Sequence, residues 1–488
     1  MEEKKEKKEK KDKKEKKEKK KKIPYWKNQE TPKSGALFTD PLFPPNKNSL
    51  LGLDYNGKII DSKSYKDNIK EIKENEIEFI RASEIFKDKY KLFSEKIDLE
   101  DVIQGNLGDC YFLSSVANIC KFPGLIKGLF KTKEVNKDGF YEIIFYIDGI
   151  QQIIIVDDFF PCYKKNKLPC FAQPNVNELW VMLLEKAWAK VNGGYINITG
   201  GLSSQALEAL TGFGSLIYKT NNMSEEELNK NKLEIIKNII NAQQSYSLIS
   251  CDTTEENNYK DLEKAGLIQK HAYTLIKISQ IHLEQGKTEY LFKLRNPWGK
   301  NEWNGDWSDN SNLWNERIKN QVNFKNKDNG IFFMNEKDFF NYFKTITICY
   351  ILYNTTSIIY TIEGEENLKN ASVFNVEIED EGFLFVSVLR KNWRTNRELR
   401  GKSIPTHISI VKCNQNEENR FKVFSDYNGT YTSFETCTLY KKVEKGNYLI
   451  YIYRHFEHYD LIKEKKLEIK LSCTSKFNHA QMCYDKKK

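Results

Sequence analysis

No apolar run in the chain is long enough to cross a bilayer as a helix, and the first residues are charged where a secretory leader would be apolar. The ten cysteines form no C-x-x-C pair and no dense framework, a pattern that fits free thiols in a reducing compartment. A cytoplasmic location is therefore expected. No EF-hand loop and no internal repeat occur. Outside the N-terminus, net charge is also scarce. Residues 1–22 hold 14 lysines against 7 acids and so carry +7 of the total +9, leaving +2 for the other 466 residues. A nearly neutral body excludes a broad nucleic-acid surface.

The sequence does have ample material for cores: 39% of it is apolar and 13% aromatic. At 488 residues, two to four compact units are expected. Residues 1–24 read as a disordered Lys/Glu tail, because blocks of charge with no apolar face cannot offset the entropy of ordering. The basic tail could make weak contact with anionic lipid.

One stretch organises the rest, Gln104-Gly105-Asn106-Leu107-Gly108-Asp109-Cys110-Tyr111-Phe112-Leu113. Apolar residues then recur at helical spacing through Val116, Ala117, Ile119 and Cys120, so a glycine-broken loop runs into a helix with Cys110 in its first turn. Asp109 stands at the N-cap position. A thiol there feels the positive end of the helix dipole, which favours the reactive thiolate. Far downstream come Lys270-His271-Ala272 and Arg295-Asn296-Pro297-Trp298-Gly299. Cysteine, distant histidine and nearby asparagine follow the order of a papain-like thiol protease.

Other signals place the elements. Asp148-Gly149 between two apolar stretches predicts a hairpin. Asn177 and Gly193 bracket an amphipathic helix through Leu179, Trp180, Leu183, Leu184 and Trp188. Ser224 with Glu227 forms a capping box. Strands are expected over 245–251, 271–279 and 289–295. Beyond about 355 the alternation of Phe374, Val376 and Ile378, of Leu384, Val386 and Val388, and of Ile469, Leu471 and Cys473 predicts many short strands, as in a β-sandwich.

The wording around these residues, together with Leu183-Leu184-Glu185-Lys186-Ala187-Trp188 and Thr199-Gly200-Gly201, resembles the calpain family of cysteine proteases over roughly residues 36–350. The resemblance implies an α+β fold: a papain-like two-lobed protease core, with a helical lobe over 25–205 and a β-rich lobe over 206–352. An all-β sandwich over 356–478 and a tail over 479–488 follow. The basic turn Arg390–Arg397 resembles that sandwich weakly. The calcium-sensing helical domain of conventional calpains is expected to be absent.

The resemblance also implies the site. Cys110 would be the nucleophile, His271 its acid–base partner and Asn296 the orienting amide. Gln104 would serve the oxyanion, and Trp298 would shield the His–Asn bond. Gly108, Ala206 and Lys270 would line the substrate cleft; Ala206 and Lys270 stand where the family has glycine, so they should narrow it. Calcium is implied at Asp101 with Glu185, and less strongly at Glu302 with Asp309, because Asn329 and Ile331 replace acids near the second pair. The expected function is calcium-dependent limited proteolysis of protein substrates. A catalytically weak or silent calpain-like scaffold and a papain-clan acyl transferase are the rivals.

Overall fold

The structure, a computed structural model, describes residues 25–33, 35–52, 76–87, 89–254, 259–351, 355–363, 372–389, 403–413, 421–432, 437–454 and 466–484. The Lys/Glu tail and the basic turn at 390–397 lie outside these residues.

Helix α1, Cys110–Ile119, is buried on every side. A helix apolar or neutral all round belongs in a core, and this one is the centre of the largest apolar cluster. Strands β1, Phe140–Ile147, and β2, Ile150–Asp157, pair antiparallel in full register. Their two-residue turn takes positive φ at both Asp148 (54°) and Gly149 (73°), the geometry a tight hairpin demands. Helix α2, Trp180–Asn192, ends on Gly193 in the left-handed region as expected. Its start differs. Leu179 occupies the cap position with no side-chain bond, while the amide of Asn177 is spent on the Lys89 carbonyl at 2.9 Å. Helix α3, Ser203–Thr211, joins the same cluster through Ala206, Leu207, Ala209 and Leu210. The expected lobe boundary at 205/206 therefore falls inside a helix.

A second cluster surrounds a six-stranded sheet. Strand β3 is Ser215–Lys219, and helix α4, Glu225–Gln244, carries the full Ser224–Glu227 capping box. Then come β4, Ser247–Asp252; β5, Ala272–His282; β6, Thr288–Arg295; β7, Ile331–Asn335; and β8, Thr345–Tyr350. Their order is β7-β6-β5-β4-β8-β3, antiparallel throughout. Helix α1 lies across the β4–β5 region. Asn118 donates to the Ile249 carbonyl at 2.9 Å, and the Thr274 hydroxyl donates to the Ser114 carbonyl at 2.8 Å.

From Thr356 onward the described chain forms two antiparallel sheets, of four and five strands. Phe374, Val376, Ile378, Leu384, Val386, Val388, Ile408, Ile410, Ile469 and Leu471 from both sheets share one apolar cluster. Each such side chain withdrawn from water contributes about 1.5–3 kcal/mol. The last strand, Phe477–Tyr484, runs through position 479, where a tail was expected. No helix among the described residues is long and apolar enough to cross a membrane.

Candidate active site

Cys110 opens α1 and is 9% exposed. The Asp109 carbonyl accepts from Phe112 N and Leu113 N, which starts the helix, but the Asp109 carboxylate makes no capping bond. Burial pushes the Cys110 thiol up to about 12. The charges of Asp252 and Asp109 push it the same way, and backbone hydrogen bonding with Ala272 opposes them. Loss of solvation thus acts against the helix dipole that the sequence pointed to. Contact with Ala272 places Cys110 beside the residue that follows His271.

His271 is 4% exposed and is held by polar bonds. Its Nε2 lies 2.8 Å from Asn296 Oδ1. The amide of Asn296 donates onward to the Asn301 carbonyl at 3.1 Å, and Trp298 N donates to Asn296 Oδ1 at 3.0 Å. The Trp298 ring sits 5.0 Å from the imidazole at a tilt of 59°, and Tyr273 meets it edge-on at 5.0 Å. The backbone is clasped as well: His271 N donates to Thr253 Oγ1 at 3.1 Å, and Thr253 N donates to the His271 carbonyl at 3.0 Å. Burial pushes the imidazole down to about 4, and its bond to Asn296 opposes that shift. Burial thus disfavours the charged form of both the thiol and the imidazole. Lys270 precedes His271 at φ 52°, a left-handed conformation that favours the glycine usual there.

The loop before Cys110 is tied to the Asn296 segment. Gln104 N donates to the Pro297 carbonyl at 3.0 Å, and the buried guanidinium of Arg295 donates to the Val102 carbonyl at 2.9 Å. One amide N–H of Gln104 is given to the Leu107 carbonyl at 2.6 Å. Gly105 is required, because a Cβ there would come within 2.1 Å of the Phe171 carbonyl. The Gly108 carbonyl accepts from Gly200 N at 2.8 Å, joining two glycine-bearing segments. Ala206, expected beside the cleft, is fully buried in α3 with its N–H turned to the Leu202 carbonyl at 3.4 Å, in the same apolar cluster as Cys110.

The four acids singled out for calcium divide in an unexpected way. The Asp101 carboxylate accepts Asp98 N at 2.7 Å in a local capping box. Glu185 accepts Ala172 N at 2.9 Å and faces Asp109. Asp109 and Glu185 are both buried, and neither Asp109 oxygen has a hydrogen-bond partner of good geometry. Burial first pushes the Asp109 carboxyl up to about 7; Glu185 is also raised, by burial and then by Asp109. Glu302 accepts Asn329 N at 3.0 Å and Gly330 N at 2.7 Å, and Asp309 accepts Lys327 N at 3.3 Å. Burial and then Asp309 push Glu302 up to about 7, and Asp328 raises both. Acids that burden one another are the setting a cation relieves, and both Asp109 with Glu185 and Glu302 with Asp309 are of that kind. Among the described residues no three His, Cys, Asp or Glu side chains are grouped to hold a metal by themselves.

Sequence reasoning missed Thr253, Arg295 and Asp252, and it missed the pairing of Asp109 with Glu185. Arg295 stood in the open next to Asn296, but its contact with Val102 spans 193 positions and left no local signal.

The profile of the calpain family cysteine protease matches residues 38–350. A Zea mays calpain-type cysteine protease DEK1 is 32% identical over 349 residues, covering 70% of this chain and 14% of that one. Calpain clp-4 of Caenorhabditis elegans is 33% identical over 287 residues (57% and 38%), and the Bos taurus calpain-1 catalytic subunit 33% over 325 residues (64% and 42%). The chain spans less than half the length of each of these relatives. With an α+β core and a β-rich region behind it, the chain belongs to the calpain family of cysteine proteases.

Proposed function

We propose that the protein is a cysteine endopeptidase that cuts proteins at limited sites, with Cys110 as nucleophile, His271 as acid and base, and Asn296 as the group that orients the imidazole. One observation carries this reading: the 2.8 Å His271–Asn296 bond beneath Trp298, on a segment tied to the loop that leads into Cys110. Asn296 Oδ1 accepts a hydrogen bond from Nε2–H, which leaves Nδ1 free to act on the thiol. The Cys110 proton passes to Nδ1 as sulfur attacks the peptide carbonyl, and the imidazolium then protonates the leaving amine. Water reverses the exchange and releases the acyl group. The Cys110 N–H and the second amide N–H of Gln104 are the donors for the developing oxyanion.

In this reading the first and second clusters are the two lobes of a papain-like core, and the paired sheets form a calpain-type β-sandwich. The location is cytoplasmic and the substrates are proteins. Weak contact with anionic lipid would fall to the basic tail or the sandwich. Calcium would be held by Glu302 and Asp309, where it would relieve the repulsion among Glu302, Asp309 and Asp328. Asp101 and Glu185 are the second candidate pair.

Lys270, in the left-handed region beside His271, motivates a second reading, a silent calpain-like scaffold. A thiol-reactive peptidyl epoxide separates the two. Labelling of Cys110 that rises with calcium supports the protease; no labelling in calcium or in a chelator supports the scaffold. Glu302→Ala should remove more of the calcium effect than Asp101→Ala.

A further inference from the structure

The sheet face that meets α1 carries an acid that the proposed chemistry does not use. Side chains two apart on a strand share a face. Ser250 and Asp252 of β4 both look toward the helical cluster: the Ser250 hydroxyl accepts from Asn118 at 3.1 Å, and Asp252 Oδ1 accepts from the hydroxyl of Ser203 at 3.1 Å. Cys251 between them is buried in the opposite cluster. In register, Asp252 stands across from Ala272, the neighbour of His271, and from Thr345 on β8.

Helix α1 covers this face at Ser114, whose carbonyl takes the Thr274 hydroxyl. Asp252 lies one pleat further along, level with the start of the helix, and its charge reaches the Cys110 thiol. Cys110, Ser203 and Ala272 are closed to solvent, but Asp252 keeps part of its surface open. One hydroxyl supports the carboxylate, and no lysine or arginine among the described residues acts on it. Its desolvation is accordingly uncompensated, which pushes the carboxyl up to about 7.

We propose that Asp252 determines substrate specificity by receiving a lysine or arginine side chain of the peptide, next to the bond offered to Cys110. The substrate would supply the countercharge that the protein omits, forming a charge-assisted hydrogen bond in a site largely withdrawn from water. A site built around a buried polar group also rejects ligands that leave the group unpaired. The proposal rests on Cys110 as the nucleophile.

The test is a fluorogenic peptide library in which each position flanking the cut carries Arg, Lys, Leu or Glu. It would be run on the full chain, on Asp252→Asn and Asp252→Ser, and on Cys110→Ala. Wild type should prefer Arg and Lys over Leu by at least about tenfold at one position, or about 1.4 kcal/mol, and should disfavour Glu there. Both Asp252 variants should lose that ratio. In wild type alone the Arg-to-Leu ratio should fall as pH drops from 8 to 5.5 and the carboxyl takes up its proton, which keeps the test valid if neither variant folds. Absence of a basic preference in wild type, a preference that survives both substitutions, or a ratio flat with pH each overturns the proposal. Cleavage by Cys110→Ala at the wild-type rate would instead overturn the nucleophile assignment. An inactive Cys110→Ala beside a wild type with no basic preference would sink the Asp252 proposal alone.

Discussion

The two sides of the candidate site are held by different forces. Cys110 is placed by packing: it begins a helix whose every residue is buried, with Phe112 stacked on Trp188 at 5.4 Å and 2° and with Tyr111 accepting from Trp188 at 2.9 Å. His271 is placed by hydrogen bonds to Asn296 and Thr253 beneath a tryptophan, on a strand end whose preceding residue is in the left-handed region. Packing is cooperative and spread over many contacts. A polar clasp is local, and it fails when one partner is removed. Damage on the Cys110 side should therefore appear first as lost stability, and damage on the His271 side first as lost activity.

The largest effect is expected from Phe112→Ala. Removing a fully buried aromatic should lower unfolding free energy by about 3–5 kcal/mol, measured by urea denaturation. A loss below about 1 kcal/mol would show that the helix is not anchored by this stack. Thr253→Val keeps the shape but removes the hydroxyl that holds His271 N. A stability cost of about 1–3 kcal/mol should accompany a fall in kcat on the order of tenfold or more from misplacement of the ring. A variant with lowered stability and unchanged kcat would mean that Asn296 alone fixes the imidazole.

Asp109→Asn probes the acids on the packed side. A carboxyl with a raised folded pKa keeps its proton when the unfolded chain has released it, so the folded state binds more protons and stability falls as pH rises. For Asp109 this loss should develop from about pH 4, near its unfolded value, to about pH 7, its folded value. The variant should be the more stable form at pH 8, and its stability should change less between pH 5 and 8 than that of wild type. His271, with its depressed value, works in the opposite sense by losing stability as pH falls from about 6.5 toward 4, and it does so equally in both proteins. Parallel stability curves for variant and wild type would remove Asp109 from the account. The smallest effect belongs to Lys270→Gly. Relief of the left-handed φ, partly offset by a more flexible unfolded chain, should leave a gain of about 1 kcal/mol or less, with wider acceptance of peptides. Destabilisation by that variant would show that Lys270 contacts outweigh the backbone strain.

What was legible in the sequence was local. Asp148-Gly149 fixed a hairpin because both turn positions need positive φ, and Ser224 with Glu227 announced a helix because the partners are three residues apart. The order of Cys110, His271 and Asn296 was legible because each sits in a distinctive phrase. Tertiary assembly was not. Asn177 reads as a helix cap, yet the Lys89 carbonyl competes for it from another segment. Asp109 reads as a cap, but it makes no capping bond, and the fold sets it face to face with Glu185 across 76 positions. Asp252 closes an apolar strand and looks like its polar end, until the pleat carries it round to Cys110.

The most direct test of the central claim is cleavage of casein by wild type and by Cys110→Ala, both with folding checked by circular dichroism and with calcium present. The account predicts cleavage by wild type and none above background by a folded Cys110→Ala. Undiminished cleavage by the variant would contradict it.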